Sequence, residues 1–264
     1  MRDVPTLVTI EATDIIRKFG PRHKRFTAVN GVSMRVSSGS AIGIVGESGS
    51  GKSTLSRMLV GLDQPTSGTI TLNGQNMAEM AKTAIGMREL RRTVQFVAQD
   101  STSSFDPLRT LRYAVTRPAQ ILRGMSKADA NTAADELLEM LALDPASADR
   151  RPSEVSGGQR QRFSLARALI VRPSILVCDE VVSALDVSVQ GAILNFVKKY
   201  CADHHCGLVF VSHGLPATAF ISNDMAVMFR GEIVEQGPSQ MIVGDPQHSY
   251  SRSLINAYRG RQTA

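Results

Sequence analysis

Residues 41–53 read AIGIVGESGSGKS. The first five, Ala41–Val45, are a short apolar run that leads into glycine, the form of a buried strand feeding a turn. The next eight, Gly46-Glu47-Ser48-Gly49-Ser50-Gly51-Lys52-Ser53, match the pattern G-x-x-x-x-G-K-S/T. Thr54 follows, and Leu55, Met58, Leu59 and Leu62 then recur at helical spacing. Strand, glycine-rich loop and helix in that order predict a cradle for phosphate groups. Glycines let successive backbone N–H groups curl around phosphate oxygens without side-chain clash, and the helix N-terminus adds positive potential. Lys52 is placed to reach the outer phosphates of a nucleoside triphosphate, and the Ser53 hydroxyl to ligate Mg²⁺.

A second apolar run, Ile175-Leu176-Val177-Cys178, ends in Asp179 and Glu180. Two adjacent carboxylates leaving a buried strand are costly unless they meet a cation or polar ligand. Beside a phosphate loop, Asp179 is expected to hold Mg²⁺ and Glu180 to take the proton from an attacking water. Cys178, inside the run, reads as a small buried hydrophobe.

Working outward, alternation predicts a strand over residues 7–17 and another over 28–36, with a turn at Asn30–Gly31. Further strands are expected at Thr69–Leu72, Thr93–Ala98 and Leu208–Val211, with a last pair flanking Gly231. Helical spacing runs from Leu108 to Leu143 with breaks expected at Pro118 and Ser126, over 158–171, over 187–200, and around Ser253–Tyr258. Strands alternating with helices imply a parallel sheet. The expectation is one 264-residue α/β domain, with a helical subdomain over about 100–165 and a tail over 236–264.

Composition is that of a globular protein: 42% hydrophobic and 20% charged residues argue against wholesale disorder. Net charge of +6 permits an anionic partner without selecting one. Three cysteines do not make a disulfide framework. Asp3, Glu11 and Asp14 fall where a secretory signal needs an apolar core, and no stretch approaches the roughly 18 apolar residues of a membrane span. Cys201, His204, His205 and Cys206 crowd one connection, but no second ligand pair has zinc-type spacing.

Val155-Ser156-Gly157-Gly158-Gln159 opens a helix that Ser156 can cap. Here the chain resembles the ABC-type ATPases, whose signature is LSGGQ. The resemblance extends along the chain: Gln99 matches the Q-loop, Ser183-Ala184-Leu185-Asp186 the D-loop, and His213 the switch histidine. It implies a P-loop fold with a RecA-like parallel-sheet core, an N-terminal antiparallel β subdomain and an inserted helical subdomain. It further implies ATP and Mg²⁺ as cofactors, hydrolysis of ATP, and head-to-tail pairing of two cassettes. Ser156, Gly157, Gly158 and Gln159 would then meet the γ-phosphate held by the partner's loop. Gln99 would sense Mg²⁺ and the attacking water, His213 would contact the γ-phosphate and order Glu180, and Asp186 would shape the dimer contact. Phe19 is the candidate for stacking on adenine, with Phe26 as its competitor. Gly214 and Val181 depart from the family's usual Asp and Pro.

Within the family, GESGSGKSTL, EVVSALDVSVQ, and a tail reading IVEQGP then DPQHSY look like the oligopeptide, dipeptide and nickel importer branch. That branch implies two separate transmembrane permease subunits, a second ATPase subunit, an extracytoplasmic solute-binding protein acting indirectly, and residence at the cytoplasmic face of the inner membrane. The surface between Asp100 and Leu122 is expected to dock a permease helix. DNA-directed relatives place a long coiled coil between loop and signature, whereas Lys52 and Ser156 are 104 positions apart with no heptads, so no nucleic-acid partner is expected. A cytosolic assembly ATPase is the alternative, opposed by the tail alone.

Overall fold

The computed structural model describes residues 7–21, 23–100, 103–182 and 187–262, with 187, 188 and 260–262 described by backbone alone. Along the chain the strands are β1 (Thr9–Phe19), β2 (Phe26–Ser37), β3 (Ala41–Val45), β4 (Ser67–Leu72), β5 (Gln75–Asn76), β6 (Val94–Val97), β7 (Ile175–Asp179), β8 (Gly207–Val211), β9 (Asp224–Phe229) and β10 (Glu232–Pro238). The helices are α1 (Lys52–Leu59), α2 (Met77–Met80), α3 (Ala84–Thr93), α4 (Leu111–Arg123), α5 (Lys127–Met140), α6 (Gly157–Leu169), α7 (Val187–Asp203), α8 (Leu215–Ile221), α9 (Ser239–Gly244) and α10 (Ser249–Gln262). The chain divides into two compact units, Met1–Leu90 with Gly207–Ala264, and Arg91–Cys206.

In the first unit β2, β1, β4 and β5 form an antiparallel sheet. The turn expected at Asn30–Gly31 is instead a bulge inside a continuous twelve-residue strand. Between the pairs Ile15↔Val32 and Arg17↔Val29, β2 carries one residue more than β1, and Gly31 takes φ +67° to absorb it. The second sheet of this unit centres on β3, which pairs in parallel with β8 on one side and β9 on the other; β10 returns antiparallel to β9. β3 and β8 are buried along almost their whole length, which is why they read as unbroken apolar runs rather than alternating ones. A Cβ on Gly43 would lie 2.1 Å from Thr218 Cγ2, so α8 packs directly on the β3 backbone.

The tail of the first unit is longer and more structured than its sequence suggests. Val45, Leu215, Met225, Val227, Ile242 and Ile255 form one buried cluster, with Tyr250, Leu254 and Tyr258 packed against it. α10 therefore starts at Ser249, where a helix of only six residues was expected around Ser253–Tyr258. The Glu235 carboxylate, on β10, receives the N–H groups of Gln247 at 2.8 Å and His248 at 3.0 Å, tying the tail to the sheet.

In the second unit β6 and β7 pair in parallel, Val94↔Ile175 through Val97↔Cys178. The break expected at Pro118 does not occur. α4 runs through it, because Leu111, Val115 and Ala119 are fully buried and their packing outweighs one missing N–H bond. The chain turns instead at Gly124, left-handed at φ +69°, and Ser126 caps α5 by accepting from Asp129 N–H. Arg112 fastens this region, reaching Asp135 at 2.6 Å, Asp149 at 2.7 Å and the Pro145 carbonyl at 3.0 Å.

Burial pushes the Glu235 carboxyl up, but the Gln247 N–H, the Ser251 hydroxyl and the His248 N–H together outweigh it and hold it below its ordinary value. A lowered folded-state value means stability that is present above the unfolded value of about 4.3 and is lost as pH falls through the folded one. Glu235→Gln is therefore expected to lower Tm at pH 7, with the difference from the unaltered chain closing below about pH 4, read by thermal melts across pH.

Candidate nucleotide site

The phosphate loop joins β3 to α1 in the first unit. Gly46, Gly49 and Gly51 have φ of +154°, +80° and +103°, values that side chains rarely permit. A Cβ on Gly46 would sit 2.1 Å from the Met228 carbonyl oxygen, and one on Gly51 2.1 Å from that of Ala28. The loop is thus threaded between β2 and β9, and Gly231 N–H holds it by donating to the Ser50 carbonyl at 3.0 Å. Lys52 is only 5% exposed, and its Nζ donates to the carbonyls of Gly46 at 2.8 Å and Glu47 at 2.7 Å. Gly51 caps α1 without a side-chain bond, and no acid lies in the first turn. The residues fit a polyphosphate: curled backbone N–H groups, a helix N-terminus without a side-chain cap, and a cation folded onto the same loop. Ser53 and Thr54 lie in the first turn of α1.

His213 follows β8. Since β3 and β8 run parallel, Ile44↔Val211, the phosphate loop and His213 leave the same sheet edge. His213 is exposed. Gly214, standing where the family usually has Asp, is the N-cap of α8, and its N–H donates to Ser212 Oγ at 2.9 Å. The turn is therefore held from the preceding serine.

The second unit repeats the scheme. β6 and β7 are parallel, so Gln99 and the acids Asp179 and Glu180 emerge at one edge. Asp179 is 4% exposed. Glu180 has φ +52°, a strained value for a residue with a side chain. Gln99 Nε2 donates to Glu180 Oε2 at 2.7 Å, so the expected water-sensing amide and the expected base are in contact. Gln161, one turn into α6, donates to the Ala98 carbonyl at 3.1 Å and ties the signature helix to the Gln99 segment.

At the start of α6, Ser156 Oγ accepts from Gln159 N–H at 3.2 Å while Gln159 Oε1 accepts from Ser156 N–H at 2.9 Å. The glutamine side chain is thus spent on its own helix end. Around Gly157 the closest neighbour of an added Cβ would be the tip of Arg160 at 3.8 Å, so that turn stands open. Val155, in the leucine position of the signature, is buried. Ser183–Asp186, with the expected role of Asp186, lie outside the described residues.

Phe19 and Phe26 are directly opposite each other across β1 and β2. Phe19 is 39% exposed with the Arg17 guanidinium 4.6 Å from its ring centre, and Phe26 is 62% exposed. Cys178, Cys201 and Cys206 are buried. A hydrogen bond to Cys201 and burial push the Cys206 thiol up, and burial does the same to Cys178. One neighbour of the loop escaped the sequence reading: Glu47 N–H donates to Tyr250 Oη at 3.0 Å. Tyr250 stands in the DPQHSY stretch, and nothing in the sequence joins it to residue 47.

The ABC transporter family profile matches residues 29–183. Over 254 residues the chain is 41% identical to a putative peptide import ATP-binding protein of Brucella abortus (strain 2308), covering 94% of this chain and 76% of that one. It is 39% identical to the oligopeptide transport ATP-binding protein OppF of Lactococcus lactis subsp. lactis, covering 87% and 72%. Among solved structures, the dimeric post-hydrolysis state of the ATP-binding cassette MJ0796 bound to ADP and Pi superposes with a TM-score of 0.81 at 27% identity, covering 87% of this chain and 98% of that one. The chain belongs to the ABC transporter family, and its fold is that of a P-loop ABC ATPase.

Gly51→Ala is expected to weaken ATP binding at least tenfold, because the methyl would collide with the Ala28 carbonyl and the residue would have to leave φ +103°. Titration with ATP against the unaltered chain measures it, and equal affinity would contradict the threading of the loop.

Proposed function

We propose that the chain is the ATP-hydrolysing subunit of an importer for peptides, nickel or a related small solute, working with separate membrane subunits. The observation that carries the chemistry is the Gly46–Ser53 loop with the Lys52 ammonium folded onto its carbonyls. What supports the import role is the pair of relatives named for peptide and oligopeptide transport.

The backbone N–H groups of residues 46–53 and Lys52 hold the outer phosphates of ATP, and Phe19 offers its exposed ring to adenine. Ser53, Asp179 and Gln99 are the residues for Mg²⁺, which would neutralise developing charge on the phosphates. Glu180 takes the proton of the attacking water as its oxygen bonds to phosphorus, and the bond to the ADP oxygen breaks. Gln99 and His213 orient that water and the γ-phosphate. Ser156, Gly157, Gly158 and Gln159 serve the nucleotide of a second ATPase subunit, a copy or a homologue, and Asp186 lies at that contact. Binding draws two cassettes together, and hydrolysis releases them.

Two permease subunits receive this movement, and an extracytoplasmic binding protein delivers the solute. Among the described residues no helix is long and apolar enough to cross a membrane, which suits a peripheral place on the cytoplasmic face through those permeases. The segment from Asp100 to Leu122 is the proposed docking surface.

Glu180→Gln is expected to bind ATP as the unaltered chain does and to hydrolyse it about 10²- to 10⁴-fold more slowly; a near-normal turnover rate would remove Glu180 from the role. Tagged chain purified from detergent-solubilised native membranes is expected to bring down two polytopic membrane proteins. Recovery with soluble proteins alone would favour a cytosolic assembly role instead.

A further inference from the structure

The tail motif Gln247-His248-Ser249-Tyr250 has no part in the chemistry described so far, yet it reaches the phosphate loop. Glu47 is the pivot of that loop. Its carbonyl accepts from Lys52 Nζ at 2.7 Å and from Ser50 N–H at 3.2 Å, and its own N–H donates to Tyr250 Oη at 3.0 Å. One peptide unit after another is therefore bracketed, by the lysine on one side and the tyrosine hydroxyl on the other.

Tyr250 is itself rigidly placed. Its ring stacks on Phe229 with centroids 4.1 Å apart, and Phe229 ends β9 directly after Met228, whose carbonyl faces Gly46. Its N–H donates to His248 Nδ1 at 3.2 Å, which assigns the ring proton of His248 to Nε2. The N–H groups of His248 and Gln247 are held by the two oxygens of Glu235. The line from β10 to the loop is unbroken: Glu235, the backbone of residues 247 and 248, Tyr250, Glu47, Lys52. All of it lies within the first unit.

We propose that Tyr250 is a positioning residue for ATP: its hydroxyl fixes the Glu47 peptide and so sets where Lys52 and the loop N–H groups meet the phosphates. The inference rests on the reading of Gly46–Ser53 as the ATP phosphate loop. The Tyr250 hydroxyl accepts from a backbone N–H of the loop, so its effect falls on how well the loop is pre-shaped for binding. Burial raises the Tyr250 phenol above its ordinary value, so the group stays neutral where the enzyme works.

The test is Tyr250→Phe in the full-length chain, which deletes the hydroxyl and keeps the stack on Phe229. Calorimetric titration with Mg-ATP gives Kd, steady-state hydrolysis gives KM and kcat, and a thermal melt gives Tm. One net hydrogen bond corresponds to about a fivefold change, so Kd and KM are expected to rise about fivefold. Turnover at saturation is expected to stay within about twofold, and Tm to fall by no more than about 4 °C. Tyr250→Leu, which also removes the stack, is expected to raise KM further. An unchanged KM in Tyr250→Phe overturns the proposal, whatever happens to Tm, because a purely structural tyrosine would lower Tm and leave KM alone. If the unaltered chain itself fails to bind ATP, the phosphate-loop reading falls, and the positioning role with it.

Discussion

A buried ammonium sits at the origin of this structure. Lys52 is almost fully enclosed, and a charge taken from water is tolerated only where several dipoles face it. Here those dipoles are the carbonyls of Gly46 and Glu47, in the very loop that carries the lysine. Bringing them round to one atom requires the chain to turn through backbone angles that only glycine adopts cheaply, at Gly46 and Gly51. Two N–H groups of the loop are held from within the protein, that of Ser50 by the Glu47 carbonyl and that of Glu47 by Tyr250 Oη. One constraint thus produces the curl, and the helix N-terminus that follows it adds the positive potential that favours an anion.

The strands then decide which residues remain for chemistry. β3 and β8 in one unit, and β6 and β7 in the other, are parallel and almost wholly apolar inside. Polar groups are consequently expelled to the strand ends, and in parallel pairs the carboxyl ends fall on one edge. Gly46 and His213 share such an edge, as do Gln99 and Glu180. The contact between Gln99 and Glu180 is a direct product of that arrangement, as is the strained φ of Glu180, which turns the chain sharply as it leaves β7.

What was legible in the sequence followed the same logic. Ala41–Val45 and Ile175–Asp179 were readable because a fully buried strand must be an apolar run and its exit must be abrupt. The residues of the motifs were readable because their spacing is local. Asn30–Gly31 was misread because a glycine with positive φ serves a turn and a bulge equally, and only the partner strand tells them apart. Pro118 was misread because the cost of one missing N–H is visible in sequence, whereas the burial of Leu111, Val115 and Ala119 that offsets it is not. Tyr250 was invisible for a stronger reason: its partner is 203 positions away, and a tyrosine four residues after a proline carries no sign of where its hydroxyl will land.

The departures from the family pattern become intelligible in the same terms. An Asp after His213 would cap α8 through its side chain; Gly214 cannot. The structure answers with Ser212, whose hydroxyl accepts the Gly214 N–H from the other side of His213. At the signature, Val155 keeps the buried apolar anchor with one methylene fewer than leucine, and the Ser156–Gln159 box holds the first turn of α6 without help from the residue before it. At the first place the Ser212 hydroxyl holds the N-cap residue's own N–H, and at the second the Ser156 hydroxyl caps Gln159 N–H whichever apolar residue precedes it. The residues proposed to act on the nucleotide, Lys52, Asp179, Glu180 and His213, are themselves unchanged by either exchange, so the substitutions alter how a turn is held and leave that proposed set of side chains complete.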